Sequence, residues 1–288
     1  MNKIQKTGLL LAFSAPLLYS LFNAGFKILS RDLSPLGFLW IRGLVGMVLA
    51  GSLALATRSR PARRHLGILG LAGLSSALST ACVTTAITAI PLYQAIVILY
   101  LYPALSVILG FLVNGERIGS LEALGLAVAF AGCALLVWPD RAAAGPGLGW
   151  AHLAAFLGSL LFALPCVLIR RLGDDNDGLW PFFSYSLFSV LSAWPLAASF
   201  GVGLAPASVS LLALGAGLAV FGSLGQLTTY AALRYLPAFK VGVIGSLEVL
   251  GGALASRLIF DEPLTARALA GGALILYAAF GFRRGEKA

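Results

Sequence analysis

Charge is what this chain has least of. Only 11% of its 288 residues are Asp, Glu, Lys or Arg, against about 25% in an ordinary soluble domain. The deficit is filled by apolar side chains, at 59% of the sequence and a mean hydropathy of +0.93. A soluble fold of this size cannot hide so much apolar surface, because only a fraction of its residues can be interior. The solvent must be lipid. This excludes a cytosolic enzyme, a secreted disulfide scaffold, a disordered chain and a soluble nucleic-acid-binding domain.

Cysteine and histidine are also scarce. Cys82, Cys133 and Cys166 each lie inside an apolar run, with no CxxC spacing and no histidine pair nearby. That excludes a metal site and a disulfide framework. The two histidines, His65 and His152, stand at the ends of apolar runs and read as solvated or interfacial. Acidic residues number 11 against 20 basic ones, giving a net charge of +9. In membrane proteins such an excess belongs to cytoplasmic loops. No run interleaves bases with aromatics as a single-strand groove would, so no nucleic-acid partner is expected. A Walker loop, an HExxH and a GxSxG are all missing. No catalytic residue, enzyme activity, cofactor or metal is expected.

What the sequence does have is long apolar runs. A hydrocarbon core of about 30 Å takes about 20 residues of helix. Ten runs approach that length, at about 8–28, 36–56, 66–88, 94–113, 121–138, 151–169, 179–199, 209–231, 241–259 and 268–282. They are continuously apolar, whereas barrel strands alternate. In lipid each run must close its own backbone hydrogen bonds as a helix. The first run follows a short basic start and reads as a membrane span rather than a cleaved signal. The expected fold is therefore an all-α integral membrane protein of ten transmembrane helices.

Orientation follows from the bases. With the N-terminus inside, thirteen Lys and Arg residues fall on inner segments and five on outer ones, while Arg42 and Lys240 are intramembrane or border cases. Both termini and the Arg58–Arg64 cluster are expected to be cytoplasmic.

The chain also repeats. Shifted by 146 residues, Pro91 falls on Pro237, Glu116 on Glu262 and Gly125 on Gly271, within nine identities over 42 positions. Ala12-Phe13 and Leu17-Leu18 echo Ala155-Phe156 and Leu160-Leu161. Five spans is an odd number, so the second copy must enter the membrane from the other face. Two inverted five-helix repeats, 1–140 and 149–288 joined by a loop at 141–148, point to a secondary transporter with its site near the midplane.

The segment from Ala231 to Pro237, followed by Ser246-Leu247-Glu248-Val249 and Phe260-Asp261-Glu262-Pro263, resembles the second-repeat signature of the drug/metabolite transporter superfamily. A weaker copy stands at Ile90-Pro91, Leu101-Tyr102-Pro103 and Asn114-Gly115-Glu116-Arg117. The resemblance spans nearly the whole chain. It is strongest to bacterial exporters of aromatic and other neutral amino acids. It implies an inner-membrane carrier with a small-molecule substrate and lipid as its other partner. A monomer is expected, with a dimer as the alternative. Where the signature carries Pro after Glu this chain has Val249, so the implied kink is secure only in the fourth span, at Pro103. The other readings are a multidrug or other small-metabolite carrier and, from a different class, a non-transporting membrane scaffold.

Candidate site residues are the polar exceptions inside the runs. Glu248 is a carboxylate deep in the ninth; an ionisable residue there is a functional hypothesis by default. It could hold a substrate ammonium, carry a proton, or bond a neighbouring helix. The repeat sets Tyr102 opposite it. Tyr19 and Asn23 share one helix face, as do Thr80 and Thr84, and Gln226 and Tyr230. These eight residues form the expected cavity lining. Arg42, beside Trp40, reads as snorkelling to the outer interface, with capture of a substrate carboxylate as its alternative. Lys27 and Arg257 read as span-end snorkellers, and Gly67, Gly70 and Gly73 as a close-packing face.

Overall fold

The computed structural model describes residues 3–114, 120–137, 149–172, 177–236, 238–245 and 247–281. Among them it is all helix, with no strand. In chain order the helices are α1 (Lys3–Leu29), α2 (Pro35–Thr57), α3 (Leu66–Ala89), α4 (Leu92–Leu99), α5 (Tyr102–Asn114) and α6 (Ser120–Val137). They continue as α7 (Trp150–Arg170), α8 (Leu179–Phe200), α9 (Val209–Tyr235), α10 (Ala238–Gly245), α11 (Leu247–Leu258) and α12 (Ala266–Gly281).

Local chemistry sets the boundaries. Ser34 caps α2, its Oγ accepting from Gly37 N at 3.0 Å, and Pro35 follows at the first helical position, where its missing N–H costs nothing. Ser208 caps α9 in the same way. Pro91 ends α3 by holding Ile90 extended. Pro103 leaves the Leu99 carbonyl without the N–H four residues on. The chain breaks there between α4 and α5, and Ser159 Oγ of α7 donates to Leu99 O at 2.9 Å instead. A break in this run, expected from Pro103, thus comes with a cross-helix partner for the freed carbonyl. In the ninth run the described helix covers Ala238–Gly245 (α10) and Leu247–Leu258 (α11).

Seven described stretches are long and apolar enough to cross a membrane, among them the broken α4–α5 pair, Leu92–Val113. The other three expected runs coincide with α6, with α10–α11 and with α12, which are helical over their described residues. Leu10, Leu17, Leu55, Val209 and Leu258 are exposed on the outside of the bundle, as a lipid-facing surface requires.

The helices before and after residue 149 interleave. α1 lies along α9 and α7 along α3, while α2 packs on α8 and α6 on α12. Close approach depends on small residues. A Cβ at Gly46 of α2 would stand 2.2 Å from Ser186 Oγ of α8, and one at Gly73 of α3 would stand 2.3 Å from Ser184 Oγ. Of the three glycines expected to form one packing face, only Gly73 does so. Nothing lies within 4 Å of a Cβ at Gly67, and the one neighbour at Gly70 is 3.9 Å away.

Candidate functional site

The helices leave a cavity inside the bundle whose wall carries several polar side chains. Tyr100 and Tyr102 flank the break between α4 and α5, and Glu248 lies on α11. Asn23 Nδ2 donates to Glu248 Oε1 at 2.5 Å, and Tyr100 Oη donates to Oε2 at 2.8 Å. Glu248 is 3% exposed, and both of these partners are neutral donors.

Arg42 overturns its sequence reading. It does not reach the interface but lies 2% exposed in the cavity wall. Its Nη2 donates to Gly222 O at 2.8 Å, and the guanidinium sits 4.5 Å from the ring centre of Phe22 and 5.3 Å from that of Tyr185. These rings and the α9 carbonyl offer Arg42 an inward partner set that snorkelling would forfeit. Tyr19 Oη donates to Gln226 Oε1 at 2.5 Å, joining α1 to α9 beside it.

Seven of the eight expected lining residues stand on this cavity: Tyr19, Asn23, Thr80, Thr84, Tyr102, Gln226 and Glu248. Tyr230 does not. It is buried one turn away, 2.5 Å from Ser76 Oγ on α3. Tyr100, Phe162 and Thr229 join the wall. Polarity was the signal for Tyr100 and Thr229; Phe162 carries none, since an apolar ring in an apolar run looks the same facing a cavity or a core.

Two further readings change. Lys27 is not a free snorkeller. Its Nζ pairs with Glu262 Oε1 at 2.5 Å and donates to Ile90 O at 3.0 Å, while Glu262 Oε2 accepts from Leu92 N at 3.0 Å. Each charged side chain is 16% exposed. The cluster ties the end of α1 and the α3–α4 turn to the loop after α11. His152 is buried rather than solvated, 3.2 Å from Gln94 Oε1 and accepting from Gly149 N at its Nδ1. Arg257 remains exposed at its helix end, paired with Asp261 at 2.6 Å. Among the described residues no cluster of His, Cys, Asp and Glu could hold a metal.

A helical membrane bundle around a buried polar cavity is the architecture of a carrier, and comparison with known proteins specifies which sort. The profile of the EamA-like transporter family matches twice, over residues 6–138 and 149–284, and the chain belongs to that family. Two relatives are named pseudopaline exporter CntI, both from Pseudomonas aeruginosa. The protein of strain UCBPP-PA14 is 27% identical and that of strain PAO1 26%, each over 98% of both chains. A crystal structure 17% identical in sequence shares the fold, with a TM-score of 0.66 over 95% of both chains. The protein is therefore a multi-pass membrane transporter of the drug/metabolite type.

Proposed function

We propose that this protein is a secondary carrier that exports aromatic and other neutral amino acids across the bacterial inner membrane by alternating access. The exporter role is supported by relatives that bear that name over their full length. The observation that carries the substrate reading is the cavity itself, which presents one buried cation, Arg42, and one buried carboxylate, Glu248, among tyrosines, Phe162 and neutral hydrogen-bonding groups. A zwitterion with an apolar side chain matches that wall.

The architecture proposed is ten spans in two inverted halves, 1–140 and 149–288, with both termini cytoplasmic. The packing pattern supports it. If α1, α2 and α3 correspond to α7, α8 and α9, exchanging the halves turns the α1–α9 contact into α7–α3. It also maps α2–α8 and α6–α12 onto themselves and α5–α7 onto α11–α1, and all of these contacts occur. The two family matches divide the chain at the same place.

Counterflow of labelled amino acids into proteoliposomes tests the function. Exchange is expected for phenylalanine, tyrosine and tryptophan, and for smaller neutral amino acids such as threonine and methionine. Exchange of lipophilic cations with none of any neutral amino acid would assign the protein to multidrug transport, and no flux of either class would leave the scaffold reading.

A further inference from the structure

The cavity has two unlike poles, and each lacks something the protein does not supply. Arg42 is a cation inside an apolar bundle, where an unpaired charge is expensive. Its acceptors are the Gly222 carbonyl at 2.8 Å and, more distantly, Gln226 Oε1 at 3.5 Å. No carboxylate of the described residues lies within ion-pair distance of it. Its Nε makes no hydrogen bond. A donor on a buried cation therefore stands without an acceptor, beside Gln226 on the same cavity. A buried donor left unmade is costly, and an anion would relieve it.

The other pole is Glu248. A carboxylate offers about four lone-pair sites, and Asn23 and Tyr100 occupy two. Both partners are neutral donors, so lone-pair sites remain on the carboxyl group for an ammonium.

Between the threonines, the rest of the wall is apolar and aromatic. Phe162 meets Tyr102 edge-on, with ring centres 4.9 Å apart at 88°. Val83 and Leu99 lie on the same cavity. The internal repeat makes this asymmetry pointed. Tyr102 is the counterpart of Glu248, and Phe162, by the echo between the first and sixth spans, is the counterpart of Tyr19. One side of the repeat supplies Glu248 and Tyr19, and the other supplies Tyr102 and Phe162, with no charge.

We infer that the cavity takes an α-amino acid in one orientation. The carboxylate lies on Arg42 and Gln226, the ammonium on Glu248, and the side chain on Phe162 and Tyr102. This rests on the amino-acid reading above and sharpens it. Both charges are required, so a decarboxylated amine and a deaminated acid are poor ligands. Arg42 and Glu248 are then the residues that set specificity.

The test is equilibrium binding of phenylalanine, phenethylamine and 3-phenylpropionate to the purified full-length protein and to Arg42→Gln and Glu248→Gln. A site built to bond a group rejects the analogue that lacks it, so each analogue is expected to bind about 100-fold more weakly than phenylalanine. In Arg42→Gln, phenylalanine falls to the level of phenethylamine while phenethylamine is unchanged. In Glu248→Gln, phenylalanine falls to the level of 3-phenylpropionate while that acid is unchanged. Arg42→Lys, which keeps the charge, serves if the glutamine variant does not fold; it is expected to retain part of the preference for phenylalanine over phenethylamine. Phenethylamine binding as tightly as phenylalanine, or an Arg42 variant weakening both equally, overturns the assignment of the poles while the amino-acid reading stands. Binding of none of the three ligands, with lipophilic cations bound instead, overturns the amino-acid reading and the poles with it.

Discussion

Glu248 owes its place to two donors on two other helices, and each can be removed without adding bulk. Tyr100→Phe deletes one and Asn23→Ala the other. A hydrogen bond to a charged group contributes about 1.5–3 kcal/mol, so each variant is expected to raise the KM for counterflow about tenfold or more. Ser184→Ala is the contrast. Its hydroxyl donates to Leu69 O at 2.6 Å, joining α8 to α3 away from the cavity wall, so thermal stability is expected to fall by about 1 kcal/mol with KM retained. Equal effects on KM from Ser184→Ala and Asn23→Ala would contradict the wall as described. At this scale lipid made the sequence readable. In an apolar run each polar side chain is an exception, and one-turn spacing put Tyr19 with Asn23 and Thr80 with Thr84 on shared faces. Arg42 was misread because its depth in the run fits either snorkelling or burial. The Phe22 and Tyr185 rings that hold it inward come from other helices, α1 and α8, whose facing the sequence does not give.

Helices were legible for the same reason, since apolar length and the Ser-Pro and Pro signals fix where they run and stop. Their packing partners were not, because glycine spacing marks small residues without saying which face is covered. Gly46 and Gly51 make the point. Five residues apart on α2, one meets Ser186 and the other has nothing within 4 Å of a Cβ. Gly46→Ala is expected to destabilise the purified protein by about 1–3 kcal/mol through overpacking, while Gly51→Ala leaves its melting temperature unchanged or raises it. The Lys27–Glu262 pair joins three elements and, if both termini are cytoplasmic, lies on the outer side. Alternating access then requires it to part when the cavity opens outward. A half-buried pair of this kind contributes about 1 kcal/mol, so Glu262→Gln is expected to raise the outward-open population about fivefold. Labelling of Thr84→Cys by an impermeant maleimide from outside, in a background free of native cysteine, measures this. Labelling unchanged by Glu262→Gln would remove the pair from the gating cycle.

For the molecule as a whole, topology decides whether these parts form a carrier as described. Impermeant reagent added outside is expected to reach Val202→Cys and to miss Arg60→Cys; the reverse pattern would invert the orientation. The bundle's all-helical membrane class could be read from run length. Which helices lie together could not, since it depends on which faces of α1, α3, α7 and α9 meet.

The central claim is that a buried carboxylate and a buried arginine in one cavity carry an amino acid across the membrane. Counterflow of labelled phenylalanine in proteoliposomes, comparing the native protein with a folded Glu248→Gln variant, tests it most directly. A charge partner removed from a buried site costs about 2–5 kcal/mol. The account therefore predicts clear exchange by the native protein and a loss of at least about tenfold at subsaturating substrate in the variant. Equal exchange rates in the two proteins would contradict it.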